Sequence, residues 1–138
     1  MKLSIKVQYG LQAVLALAIN YESGPLQIKD IAKTHGIPAR FLEQLLLILK
    51  KGGLLVSHRG MHGGYSLAKH PSEISLLELI ELLEGPIELT TRRMNKLAVL
   101  FDVMKQVQDH LKEDLQNKTI EDLVIRKRQQ DRSFVYNI

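Results

Sequence analysis

The chain contains no cysteine. That excludes disulfides, thiolate metal sites and cysteine nucleophiles, and it fits a reducing compartment. Long hydrophobic runs are missing too. The most apolar early stretch, LQAVLALAI at 11–19, is nine residues, against the roughly 20 that a membrane-spanning helix needs. No secretory leader pattern opens the sequence, so a cytoplasmic protein without a membrane partner is expected. The motifs GxGxxG, GxxxxGK(S/T), HExxH and GxSxG do not occur, which removes the nucleotide loop, the helical zinc pair and the nucleophile elbow. Neither an enzyme nor a cofactor is expected. His58 and His62 lie four apart, but in a loop, and that spacing converges two metal ligands only on a helix. They read as solvent-exposed or phosphate-facing. Glu78, Glu81, Glu84 and Glu88 read as a solvated helix face. There is no internal repeat and no low-complexity segment.

What is present is a chain of 138 residues, 45% of them hydrophobic, enough for one domain with an appendage. The net charge of +4 is unevenly placed. Residues 1–70 hold nine lysines and arginines against three carboxylates, a net of +6; residues 71–138 hold ten against twelve, a net of −2. A basic half points to a polyanionic partner, most often nucleic acid.

Apolar residues recur at helical spacing over 4–21 (Val7, Leu11, Val14, Leu15, Ala18, Ile19), with Ser4 as the cap, and ESGP at 22–25 breaks the pattern. A short helix follows over 27–35 and ends at Gly36. A third spans 38–51, with Pro38 in its first turn. Helix, glycine turn, helix is a helix-turn-helix pattern. LLLIL at 45–49 is apolar all round, so that half of the third helix is expected to be buried on several sides. Its N-terminal half carries Ala39, Arg40, Glu43 and Gln44, which can face outward into a major groove.

LLVS at 54–57 and YSLA at 65–68 alternate and predict a β-hairpin with a seven-residue glycine-rich loop. A hairpin after a helix-turn-helix is a wing. Its tip carries Arg59, Gly60, His62 and Gly63, and an arginine on such a tip can enter a narrow, negative minor groove. Lys2, Lys6, Lys50, Lys51 and Lys69 are candidates for neutralising phosphates. Arg40 can read guanine or hold phosphate; Glu43 can accept from cytosine N4 or pair with Arg40. SLLE at 75–78 fits a capping box for a helix with Leu76, Leu79, Ile80 and Leu83 inward, stopped by EGP at 84–86. A looser segment leads to a long helix over about 96–116. Its apolar stripe is Leu97, Leu100, Phe101, Met104, Val107, Leu111 and Leu115. The winged domain has no spare core for such a stripe, so an identical helix in a two-fold homodimer is its expected cover. A short helix from Thr119 to about Arg128 and a frayed or docked tail at 131–138 complete the reading. The fold class is thus mainly α with a small β-hairpin: a winged helix-turn-helix domain at 1–85, then a linker, dimerisation helix and tail at 86–138.

MKLSIKVQYGLQAVLALA, IKDIAKTHGIPARFLEQLLLILKKGGLLVSHRGMHGGYSLAK, ISLLELIELLEGPIEL and TIEDLV together resemble the Rrf2 family of winged-helix transcription regulators. The resemblance runs over residues 1–89 and returns at 119–124. Its most specific pieces are FLEQLL, RG followed by GGY, and EGPI. It implies a homodimer on double-stranded DNA with a roughly two-fold operator. It also implies that Glu43 tunes base choice, that Arg59 reaches the minor groove, and that Tyr9, Ala39 and Arg40 lie where relatives touch DNA. Many relatives carry three cysteines after EGPI that hold an iron–sulfur cluster; here the segment is ELTTRRMNKLAVLF, without one. Phe101 stands where cluster-bearing relatives place a histidine. Some cysteine-free relatives are controlled by a regulatory protein or a small-molecule effector. The leading reading is a sequence-specific DNA-binding regulator, more often a repressor. A protein-binding adaptor on the same scaffold is its rival, and a small metal- or ligand-dependent enzyme is the weakest reading.

Overall fold

Ser4 Oγ accepts a hydrogen bond from the Val7 amide at 3.3 Å and opens helix α1, Ile5–Ile19, in a computed structural model that describes residues 1–136. Val7, Ala13, Val14, Leu17 and Ala18 of α1 are buried. Helix α2, Ile28–His35, turns Ile31 and Ala32 inward and ends at Gly36, whose φ of +65° suits a residue without a side chain. Helix α3 runs from Ala39 to Lys51, with Pro38 as the flanking cap rather than inside the first turn. Leu42, Leu45, Leu46 and Leu49 are buried. The apolar run 45–49 is not enclosed all round, however: Leu47 stays 43% exposed.

The wing pairs β1, Leu55–His58, with β2, Gly64–Leu67, in antiparallel register from Leu55 opposite Leu67 to His58 opposite Gly64. Both strands lie one residue closer to the tip than the alternation predicts, so the loop is residues 59–63. The cause is local. The Leu54 amide donates to the Leu49 carbonyl at 3.0 Å, which makes Leu54 part of the exit turn of α3. Leu26 and Tyr65 exchange backbone hydrogen bonds at 2.9 and 2.8 Å, adding a third edge to the wing.

Helix α4, Leu76–Glu84, is capped by Ser75 Oγ, which accepts from the Glu78 amide at 3.0 Å. The reciprocal half of the expected box is replaced, because the Glu78 carboxylate pairs with Lys69 at 3.2 Å. An irregular stretch with a short 3-10 turn at Arg92–Lys96 leads to α5, Ala98–Asn117. Thr119 and Asp122 cap each other's amides, at 2.8 and 3.2 Å, and start α6. Helix α6 spans Ile120–Tyr136, longer than the expected end near Arg128. The Lys127–Asp131 pair, 2.7 Å apart at i,i+4, bridges the point where it was expected to stop. The expected tail is therefore helical through Tyr136, and its last two residues, 137 and 138, lie outside the described residues.

Among the described residues the buried apolar side chains form one core, and Ile120 and Val124 of α6 belong to it. Leu76 and Ile120 amides donate to the Lys118 and Ile74 carbonyls, each at 2.9 Å. The C-terminal helices are thus docked on the winged unit by side chains and by backbone.

Candidate nucleic-acid interface

The turn between α2 and α3 and the hairpin after α3 place two groups of side chains on the surface. On α3, Ala39, Arg40, Glu43 and Gln44 are all exposed. The core leucines of the same helix fix its rotation, so these residues must turn outward. Among the described residues, neither Arg40 nor Glu43 belongs to an ion pair, so the expected Arg40–Glu43 bridge does not form. Tyr9 is half-buried, its ring set edge-on to Phe41 at 5.7 Å. It braces the first turn of α3 against α1. Lys2 is exposed before α1.

At the wing tip Arg59, Gly60 and His62 are exposed. Gly63 is not: it is buried, donates its amide to the Gly60 carbonyl at 3.0 Å, and a Cβ there would strike the His58 carbonyl. Its place among the DNA-contacting residues is corrected to that of a tip-shaping one. Gly64 has φ +134°, and a Cβ would meet the Leu26 carbonyl. The GG pair therefore lets the wing close onto the strand edge at Leu26. Three side chains hold this arrangement: Gln27, to which the sequence assigns no role, and Lys50 and His58, which it reads as facing phosphate or solvent. Gln27 Nε2 donates to the Met61 carbonyl at 3.1 Å, tying the start of α2 to the tip. Lys50 Nζ donates to Ser57 Oγ at 2.7 Å, tying the end of α3 to β1. His58 Nε2 meets Ser66 Oγ across the hairpin at 2.8 Å. Lys50 and Lys69 are thus engaged within the chain, Lys69 by Glu78. Glu81 is not simply solvated either; it accepts from the Ile87 amide at 2.9 Å and sits 3.7 Å from Lys112.

Helix α5 does not present one uncovered stripe of seven residues. Phe101, Met104 and Leu115 are half-buried on the side that faces the chain itself, with Gln108 buried among them and its Oε1 accepting from the Leu89 amide at 2.7 Å. The intervening segment folds over this face, which is why the winged unit covers more of the helix than its core leads one to expect. The exposed apolar residues are Leu97, Val99, Leu100, Val103, Val107 and Leu111. Val99 and Val103 join this second face.

Residues 3–126 match the Rrf2 family, described as iron-dependent transcriptional regulators. The chain belongs to that family. CymR of Bacillus subtilis is 37% identical over 123 residues, covering 89% of each chain. Its solved structure, described as that of the global cysteine regulator, superposes with a TM-score of 0.77 at 35% identity over 91% of this chain and 98% of that one. The IscR structure from T. potens gives 0.78 at 35% identity, over 92% and 88%. IscR of Cronobacter sakazakii is 40% identical over 90 residues, 65% of this chain but only 56% of that protein. Its Rrf2 membership makes this chain a DNA-binding transcription regulator of the helix-turn-helix type. Among the described residues no helix is long and apolar enough to cross a membrane.

The iron-dependence in the Rrf2 description is not matched by donors here. Iron–sulfur clusters are held by thiolates, and the chain has none. The hollow between the 88–95 segment and α5 offers Glu88, Thr90, Thr91, Arg92 and Asn95, and among the described residues no three His, Cys, Asp or Glu side chains group as metal ligands. These residues do not fit such a cluster.

Proposed function

We propose that two copies of this chain bind one DNA duplex across a two-fold operator and repress transcription in the cytoplasm. The unit at 1–85 supplies the DNA contacts and the elements of 86–138 supply the pairing. Each protomer sets α3 into a major groove, with Arg40, Glu43 and Gln44 towards base edges and Ala39, Lys2 and Tyr9 near the backbone. Arg59 enters the neighbouring minor groove, with Gly60 and His62 beside its phosphates. The observation that carries the reading is the joint exposure of Lys2, Arg40, Glu43, Gln44, Arg59 and His62 on one basic half whose core and hydrogen bonds hold α3 and the wing together. The exposed side of α5 (Leu97, Leu100, Val103, Val107, Leu111) supports pairing. An apolar row of this length is ordinarily covered by a copy of itself. Phe101, Met104 and Leu115 then act from behind, seating α5 on its own protomer. Control passes through a regulatory protein or a small-molecule effector, and no catalytic step is assigned to the chain.

The test is selection of duplexes from a random pool by the full-length protein, followed by footprinting and by light scattering of the free protein. A two-fold site bound by a dimer, with affinity falling steeply as salt rises, is the expected result. A monomer in solution, or binding without preference for any sequence, overturns the proposal.

A further inference from the structure

Helix α3 turns about 100° per residue. Arg40, Glu43, Gln44, Leu47 and Lys51 therefore stack on one outward face, and all five are exposed. Leu47 is the apolar member. It retains 43% exposure while Leu45, Leu46 and Leu49 beside it are at 1%, 0% and 0%. It stands seven residues beyond Arg40, about 10 Å further along the helix. A lone exposed leucine needs no explanation in general. This one lies close to the angular centre of the face whose charged and amide side chains are proposed above to meet bases. Lys50 next to it is drawn aside to Ser57 on the wing, at 2.7 Å. In a major groove the apolar feature presented at a base edge is the C5-methyl of thymine; cytosine offers there an N4 donor and no methyl.

We propose that Leu47 reads a thymine methyl in each half-site, beyond the bases met by Arg40, Glu43 and Gln44. The proposal rests on α3 being the reading helix and adds one specificity-determining contact to it. The charge of the surrounding face brings the duplex in, and the leucine then discriminates T·A from C·G at one step by covering a methyl group.

The experiment replaces each thymine of the selected operator, one at a time, with deoxyuridine, which lacks only that methyl. One replacement per half-site is expected to weaken binding by the wild-type protein about fourfold, the worth of one buried methyl. Leu47→Ala is expected to bind thymine and deoxyuridine operators equally, and Leu47→Met to keep the penalty. Because Leu47 lies outside the core, both variants are expected to melt at the wild-type temperature. Silent replacement at every thymine, or an unchanged penalty in Leu47→Ala, overturns the proposal while leaving the operator reading intact. A pool that yields no preferred sequence overturns the operator reading and this contact with it.

Discussion

At the residue scale, side chains exposed without an ion pair separate from the residues that build the site. Arg59 is exposed and, among the described residues, belongs to no ion pair, so its removal is expected to act on DNA binding and not on the fold. Arg59→Ala is expected to cost about 1–3 kcal/mol of operator affinity, the usual worth of one specific contact, measured by gel shift. Light scattering is expected to give an unchanged mass. Gly64 is the opposite case. Its positive φ and the Leu26 carbonyl against it leave no room for a methyl group. Gly64→Ala is expected to destabilise the fold by about 1–3 kcal/mol, read as a lowered melting temperature, and to weaken DNA binding only through that loss. The sequence makes Arg59 visible because an arginine among glycines is a local signal. It does not separate Gly60 from Gly63, since that needs to know which glycine the chain folds back upon.

At the scale of elements, helices were legible where a polar cap met a periodic core. Ser4, Gly36 and Ser75 mark boundaries that the backbone obeys. Ser75→Ala is expected to lower stability by about 1 kcal/mol in urea unfolding, and somewhat more if the Ser75–Gln116 hydrogen bond of 3.3 Å contributes to holding α5 in place. The strand ends moved by one residue because short alternating runs carry no marker for where a preceding helix's exit turn finishes. Leu47 was hidden for a related reason. Five apolar residues in a row mask the 42, 45, 46, 49 spacing that turns it outward. The length of α6 is not legible because few of its later residues are apolar; past Val124 its residues are exposed, and the Lys127–Asp131 pair spans its middle at i,i+4.

At the scale of the whole molecule, the sequence predicted α5 but not its division into two faces. Its apolar residues lie close enough in angle to read as one broad stripe. Only the fold of the 86–96 segment, latched by Gln108 to the Leu89 amide, shows which side is already taken. Val103→Asp, on the exposed side, is expected to yield a folded monomer by light scattering, with at least a hundredfold loss of operator affinity because each half-site then binds alone. Phe101→Asp, on the inward side, is expected to lower the melting temperature instead.

The backbone exchange between residues 74–76 and 118–120 has a geometric corollary. It ties the corner between α5 and α6 to the start of α4 by backbone, so the reading unit of the proposed dimer is expected to move with its pairing helix. In the proposed dimer, two such units are expected to hold their separation like a caliper of fixed gauge. One extra base pair between the half-sites turns them by about a tenth of a helical turn relative to each other, a turn that the proposed dimer is expected not to follow.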